Sequence, residues 1–252
     1  MNKNDLKTLV HLLILFAILA LIAFGISIFE NKNMKLNGSV IVDNNLFLEY
    51  KQKEWKNLQS IDNIEMEKFD IYNKNSYAGQ YKITETNGRN YFFDDNYESV
   101  DISSPYIAFS NKSSMAIKKC KKVKFSNEDY NEVAKYLKKI NISYSGEYNT
   151  KEKYETNLNN NNKKDYIYIV SNQLYSDDNI LYLVFAKIDN KYIEIDNQIN
   201  KTNLTNYEVG WILNTSSNNY SDILLSYTKF ESNEYYLYRF NKGKYAKLLP
   251  EE

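Results

Sequence analysis

Acid–base or metal chemistry at neutral pH needs particular side chains, and this chain is short of them. Its one histidine is His11 and its one cysteine is Cys120. No Ser-His-Asp or Cys-His arrangement can be assembled in the body of the chain. A single cysteine also excludes an intrachain disulfide, a CxxC redox pair and a cysteine zinc site. Cys120 lies within Lys118-Lys119-Cys120-Lys121-Lys122. Neighbouring positive charge would lower a thiol pKa and favour a nucleophile. The imperfect alternation of Ile117, Cys120, Val123 and Phe125 favours a buried structural thiol instead. Lys118, Lys119, Lys121 and Lys122 form a candidate basic patch for an acidic polymer or anionic lipid headgroups. The same lysines would equally protect an edge strand from aggregation.

The acidic residues are as equivocal. Asp94-Asp95-Asn96-Tyr97-Glu98 and Asp177-Asp178-Asn179 alternate oxygen ligands in part. Neither has the glycine and the distal acid of an EF-hand loop, so both read as exposed turns. A carboxylate pair can hydrolyse glycosides without histidine, but nothing among the 32 acidic residues singles one out. No metal or cofactor is expected. The 24 tyrosines are the compositional oddity. Tyr166 and Tyr168, and Tyr235, Tyr236 and Tyr238, alternate along predicted strands. An exposed tyrosine face can stack on sugars or contact protein, so these five are the candidate ligand or partner surface. Codon bias and plain β-propensity would also produce them.

The elements that must position these groups begin with an apolar run. From Thr8 to Phe29 no Asp, Glu, Lys or Arg occurs. These residues would span roughly 33 Å as a helix, enough to cross a hydrocarbon core of about 30 Å. Residues 1–7 are then a short cytoplasmic N-terminus carrying Lys3 and Lys7, 8–29 a transmembrane signal anchor whose partner is the lipid bilayer, and 30–38 a juxtamembrane connection. The run continues past the small residues Ala23 and Gly25, which favours retention over signal-peptide cleavage. The expected location is the cell membrane, single-pass, with the large C-terminal part extracytoplasmic. His11 then lies at the helix entrance.

The remainder is read as mainly β with one soluble α-helix, a β-rich α+β class built of antiparallel hairpins and meanders. Region 39–148 holds strands near 40–42, 46–50, 68–72, 79–84, 90–93, 106–109 and 115–125. Asp43-Asn44-Asn45 and Asn87-Gly88 mark its hairpin turns. The helix is predicted over 127–139. Ser126 caps it, Glu128 and Asp129 sit in the first turn, and Tyr130, Val133, Ala134, Leu137 and Ile140 repeat at helical spacing. Residues 149–164, ending in a run of Asn and two Lys, read as a polar linker. Region 165–252 is a C-terminal antiparallel β region.

A weak internal repeat runs through that last region. Asp165-Tyr-Ile-Tyr-Ile leads, after a polar loop, to Leu181-Tyr-Leu-Val-Phe-Ala-Lys-Ile-Asp-Asn-Lys-Tyr-Ile. Asp222-Ile-Leu-Leu-Ser leads likewise to Tyr236-Leu-Tyr-Arg-Phe-Asn-Lys-Gly-Lys-Tyr-Ala. The unit resembles a blade of the integrin-type propeller repeats. It lacks their acidic calcium loop, and two copies cannot close a propeller, so the resemblance implies an antiparallel meander only.

Formal net charge is zero, which argues against a nucleic-acid protein. Arg89 and Arg239 are the only arginines, and the abundance of Asn, Lys, Ile and Tyr is the usage of an AT-rich, low-GC bacterial genome. The expected function is a non-enzymatic, membrane-anchored extracytoplasmic module that binds a cell-envelope polymer or another protein. A carboxylate-based envelope hydrolase and a regulatory or assembly subunit acting through its membrane helix are the alternatives.

Overall fold

The computed structural model describes residues 38–51, 54–58, 67–74, 76–86, 88–110, 115–144, 146–172, 181–199, 206–215, 219–229 and 232–249. The apolar run 8–29 and the acidic stretch 177–179 lie outside the described residues. Among the described residues no helix is long and apolar enough to cross a membrane.

Among the described residues the architecture is mainly β: three antiparallel sheets and one helix. The first sheet contains β1 (Gly38–Val42), β2 (Leu46–Lys51), β3 (Glu54–Asn57), β4 (Lys68–Asn73), β5 (Ser76–Thr86), β6 (Arg89–Phe93), β7 (Ser99–Val100) and β8 (Tyr106–Ser110). Its order is β3-β2-β1-β8-β4-β5-β6-β7. Two short strands follow, β9 (Ala116–Lys118) and β10 (Lys121–Val123), and then helix α1 (Asn127–Lys139). The second sheet adds β11 (Thr150–Thr156), β12 (Asp165–Ser171), β13 (Leu181–Ile188) and β14 (Lys191–Ile199), ordered β10-β11-β12-β13-β14. The third adds β15 (Asn206–Asn214), β16 (Asp222–Lys229), β17 (Ser232–Asn241) and β18 (Lys244–Leu249), ordered β18-β17-β16-β15-β9.

These elements stack as layers. The third sheet is central. One of its faces puts Trp211, Leu213, Leu224, Tyr235, Leu237 and Leu249 against Val40, Val42, Leu48 and Phe109 of the first sheet. Its other face puts Ile212, Ile223, Leu225, Tyr238 and Tyr245 against Ile167, Ile169, Val184 and Ile193 of the second. The far face of the second sheet carries Tyr168, Val170, Leu183 and Phe185, which Val133, Tyr136 and Leu137 of α1 cover. The first sheet curls so that its far face closes on itself around Ile41, Phe69, Ile71, Ile83, Phe92 and Ala108. Asn90 of β6 bonds Asn44 Oδ1 and Asp43 O at 2.8 and 2.7 Å across the curl, although three strands separate β6 from β1 in the sheet.

Local chemistry explains the pieces. Asp43 takes a φ of 48°, tolerable for Asp in a tight turn. Its Oδ1 accepts the Tyr106 N–H at 2.8 Å, tying the turn to β8. The helix starts where Asp129 accepts the Ser126 N–H and Oγ–H at 2.7 and 2.8 Å, so the acid in the first turn satisfies the orphan donors there. In β15 the register shifts between Val209 and Trp211, at Gly210. A Cβ on Gly210 would lie 3.1 Å from Leu224 O. The bulge reverses the side-chain alternation. Tyr207 and Val209 face the second sheet, whereas Trp211 faces the first, where its indole N–H donates to Lys74 O at 2.7 Å.

Several carboxylates caught between the layers are paired. Asp222 is fully buried, bonded by Arg239 Nε at 3.0 Å and Nη2 at 2.8 Å and by the Trp55 indole at 2.8 Å. Asp196 of β14 accepts the hydroxyls of Tyr207 and Tyr238 at 2.6 and 2.7 Å, joining second and third sheets. Asp129 accepts Lys153 Nζ at 2.7 Å and the Tyr168 hydroxyl at 3.0 Å, joining α1 to the second sheet. Glu132 bonds Lys187, Lys135 and the Tyr192 hydroxyl. Burial pushes that carboxyl upward, and the three donors outweigh it and bring it down to about 2.

Two sequence-based expectations are corrected. The stretch 149–164 is not simply a linker. Residues 150–156 form β11, inside the second sheet, and Leu158 is fully buried. The expected strand over 115–125 is two strands in different sheets, because β9 pairs with β15 and β10 with β11. The two repeat units take equivalent places, β12-β13-β14 and β16-β17-β18, in sheets packed face to face.

Two measurements check this packing. Leu158→Ala should destabilise by about 3 kcal/mol in urea unfolding, as a fully buried leucine does, whereas a linker residue would change nothing. Arg239→Met should cost roughly 3–5 kcal/mol by stranding the Asp222 carboxylate between two sheets. A loss under about 1 kcal/mol would mean that water reaches Asp222.

Candidate functional site

The lysine run ends up where the chain crosses between two sheets. β9 is the edge strand of the third sheet and β10 the edge strand of the second. Lys119 and Cys120 make the crossing, and the Thr156 hydroxyl bonds Lys119 O at 3.0 Å. The β11–β12 loop, residues 157–164, lies beside this crossing. Together they form an open cleft of about 670 Å³, lined by Lys118, Lys119, Lys121, Glu155, Thr156, Asn157, Asn160, Asn162, Lys163, Lys164 and Asn214. Five lysines face one glutamate there, on a chain whose overall formal charge is zero.

The loop is asparagine-rich yet closely held. Leu158 plugs the core, its N–H donates to Asp165 Oδ2 at 2.8 Å, and its carbonyl accepts the Ser221 N–H at 2.7 Å. Asn159 and Asn161 donate to Asp189 at 2.7 and 3.1 Å. Asn160 and Asn162 sit at φ 59° and 61°, which Asn adopts more readily than most residues. Asparagine here supplies the side-chain hydrogen bonds that let a polar segment order without apolar mass.

Within the cleft the lysines differ. Lys118 is half-buried and donates to Asn157 O at 2.6 Å and to Asn160 Oδ1. Burial lowers its pKa from the ordinary lysine value, and the nearby Asp165 carboxylate opposes that shift. Burial raises the Asp165 carboxyl, and the Leu158 and Asn159 N–H groups resist the rise. Lys119 and Lys121 are exposed. Lys164 pairs with Glu155 at 2.9 Å and Lys163 approaches Asp189 at 3.8 Å, with side chains 69 and 73% exposed. The rim thus presents exposed ammonium groups over a floor of amides. Such a surface attracts anions without imposing orientation, because lysine is a point charge rather than a planar fork.

The structure therefore brings Lys118, Lys119 and Lys121 together and leaves Lys122 out. Lys122 points to the other side, pairing with Glu152 and lining a second cavity of about 570 Å³ with Cys120, Tyr154, Glu208 and Trp211. Lys163 and Lys164 join the cleft although their segment reads as a linker in sequence. The paired lysines closing the asparagine run were the available signal.

The five candidate tyrosines do not form one surface. Tyr166 and Tyr168 lie on the α1 side of the second sheet, and Tyr168 is 1% exposed. Tyr235 faces the first sheet, at 3% exposure, and donates to Asp43 Oδ2. Tyr236 and Tyr238 face the second sheet, Tyr238 at 2%. Burial, and then the carboxylates they bond, raise the hydroxyl pKa values of Tyr168, Tyr235 and Tyr238. These residues are internal donors rather than a stacking platform. Asp94 caps its own turn, accepting the Asn96 and Glu98 N–H groups at 2.8 and 2.9 Å. Among the described residues no group of three His, Cys, Asp or Glu side chains is placed to hold a metal.

No family model matches this chain, and no curated protein or solved structure matches it at a significant level.

Cys120 is half-buried against the core between second and third sheets, and desolvation pushes its thiol up to about 12 despite four flanking lysines. Desolvation outweighs exposed positive charge here. Ellman's reagent at neutral pH should therefore label native protein orders of magnitude more slowly than unfolded protein. Rapid labelling of the native state would contradict this burial.

Proposed function

We propose that this chain is a membrane-anchored, extracytoplasmic binding module that holds an anionic component of the bacterial cell envelope in the lysine cleft. The observation that carries this is the convergence of Lys119, Lys121, Lys163 and Lys164 on one open cleft whose single carboxylate, Glu155, already pairs with Lys164. The apolar run Thr8–Phe29 supports the anchor. Its flanking lysines Lys3 and Lys7 support a cytoplasmic N-terminus.

A catalytic role finds less support. Among the described residues, the buried carboxylates Asp43, Asp129 and Asp222 and the half-buried Asp196 are each tied to a donor from another layer, and buried Asp165 is held by the Leu158 N–H of the adjoining loop. The cleft itself holds Glu155 as its one acid and no histidine or cysteine. Its openness and lack of aromatic lining suit a chain-like anion gripped by charge rather than a small molecule gripped by shape.

Full-length protein in detergent should bind inorganic polyphosphate and ignore neutral dextran. Affinity should fall several-fold between about 0.05 and about 0.2 M salt, because exposed charges are screened. The double variant Lys119→Glu, Lys121→Glu should weaken binding by on the order of tenfold or more without altering the melting temperature. Binding that ignores salt and these substitutions would sink the cleft as the site. Protease added to intact cells should remove the C-terminal part, and its protection would sink the extracytoplasmic placement.

A further inference from the structure

We propose that Lys118 is the positioning residue of the cleft: its ammonium clips the asparagine loop to the crossover strands and so keeps two separate pairs of lysines side by side. The inference rests on the cleft being an anion site, and its geometry stands independently. The cleft is made of two pieces. Lys119 and Lys121 come from the crossover between β9 and β10, and Lys163 and Lys164 from the β11–β12 loop. Lys164 pairs with Glu155 and Lys163 approaches Asp189, but Lys119 and Lys121 bring further positive charge to the same cleft, so a tie between the two pieces, beyond the loop's own anchors at Leu158 and Asp189, matters.

Lys118 supplies that tie. It sits on β9, held by pairing with Ile212, and its side chain spans the gap to the loop. There it meets Asn157 O at 2.6 Å, Asn157 Oδ1 at 3.4 Å and Asn160 Oδ1. All three are neutral oxygens, and a charged donor bonded to neutral acceptors makes stronger hydrogen bonds than a neutral one. Asn157 then passes the constraint along the loop, donating through Nδ2 to Lys163 O at 2.9 Å. Lys163 N–H donates in turn to Asn161 Oδ1 at 2.8 Å. A short chain of bonds thus runs from β9 to the backbone that carries Lys163 and Lys164. Lys118 is the half-buried member of the five, with its ammonium committed to the loop, so its role differs from that of the rim lysines.

The role separates from direct contact in a double-mutant cycle on full-length protein, with inorganic polyphosphate as the probe. Lys118→Met and the pair Lys163→Gln, Lys164→Gln should each lower affinity about tenfold, and combining them should cost little more, because both remove the same two charges from the cleft. Fully additive losses would make Lys118 a ligand contact and overturn the proposal. Lys118→Arg, which can still donate to Asn157 O, should restore most of the affinity. Backbone hydrogen exchange supplies a readout free of any ligand. In Lys118→Met, amides 157–164 should exchange at least about tenfold faster while those of β12 and β13 keep their protection. Asn160→Gly, which removes one acceptor but keeps a residue tolerant of positive φ, should loosen the same amides to a lesser degree. Unchanged loop protection in both variants would overturn the clip. If wild type fails to bind polyphosphate while the exchange result holds, the anion-site reading fails and the clip survives.

Discussion

The central sheet is sandwiched between two others, and much of the structure follows from that constraint. Sheets β1–β8 and β10–β14 cover its two sides, so each polar group buried on it must find a partner within the protein. Asp222 does so through Arg239 and Trp55, and Tyr235 through Asp43. Tyr207 and Tyr238 do so through Asp196. All of these but the Arg239–Asp222 pair, which ties neighbouring strands of the central sheet, cross from one layer to the next. Tyrosine suits this role, because it buries a large ring and still delivers a hydroxyl at its tip. The tyrosine richness of the chain is thereby largely an internal matter. Phenols meet carboxylates between layers that would otherwise be held by dispersion alone.

A second constraint is topological. The stretch from β9 to β10 belongs to two sheets at once, which locks the face-to-face packing of the repeat-bearing meanders. The crossing turns Cys120 toward the core and leaves its lysines outside, so one short segment contributes both a half-buried thiol and half of a basic cleft. Edge protection and anion binding are compatible uses of the same lysines. An edge strand must repel other strands, and ammonium groups do that whether or not a polyanion occupies them. The cleft gathers charge on a chain that is neutral overall, and local concentration of one sign, not net charge, decides what a surface attracts.

Much of the fold was legible in residue order. The hairpin at Asp43-Asn44-Asn45 and the helix Asn127–Lys139 both appear where capping and turn chemistry put them. These signals are local, and local hydrogen bonding realises them. The asparagine loop was misjudged for a related reason. Composition measures how much apolar surface a segment can bury, and this one buries a single leucine. It orders instead through amide bonds to Asp189, Lys118 and its own backbone, which composition does not register. The tyrosine faces were misjudged because alternation shows that two faces differ, not that either is wet.

By itself, the sequence determined the β-rich class, the helix over 127–139, the repeat and the absence of histidine from the body of the chain. It also marked Lys118, Lys119 and Lys121 as a charged group. Only the tertiary structure decided that Lys163 and Lys164 complete that group, that Lys122 leaves it, and that Lys118 turns aside to hold the loop. The reason is separation along the chain. About forty residues lie between the crossover and the loop, and no local rule of periodicity or capping reaches that far. Strand pairing across two sheets brings them together.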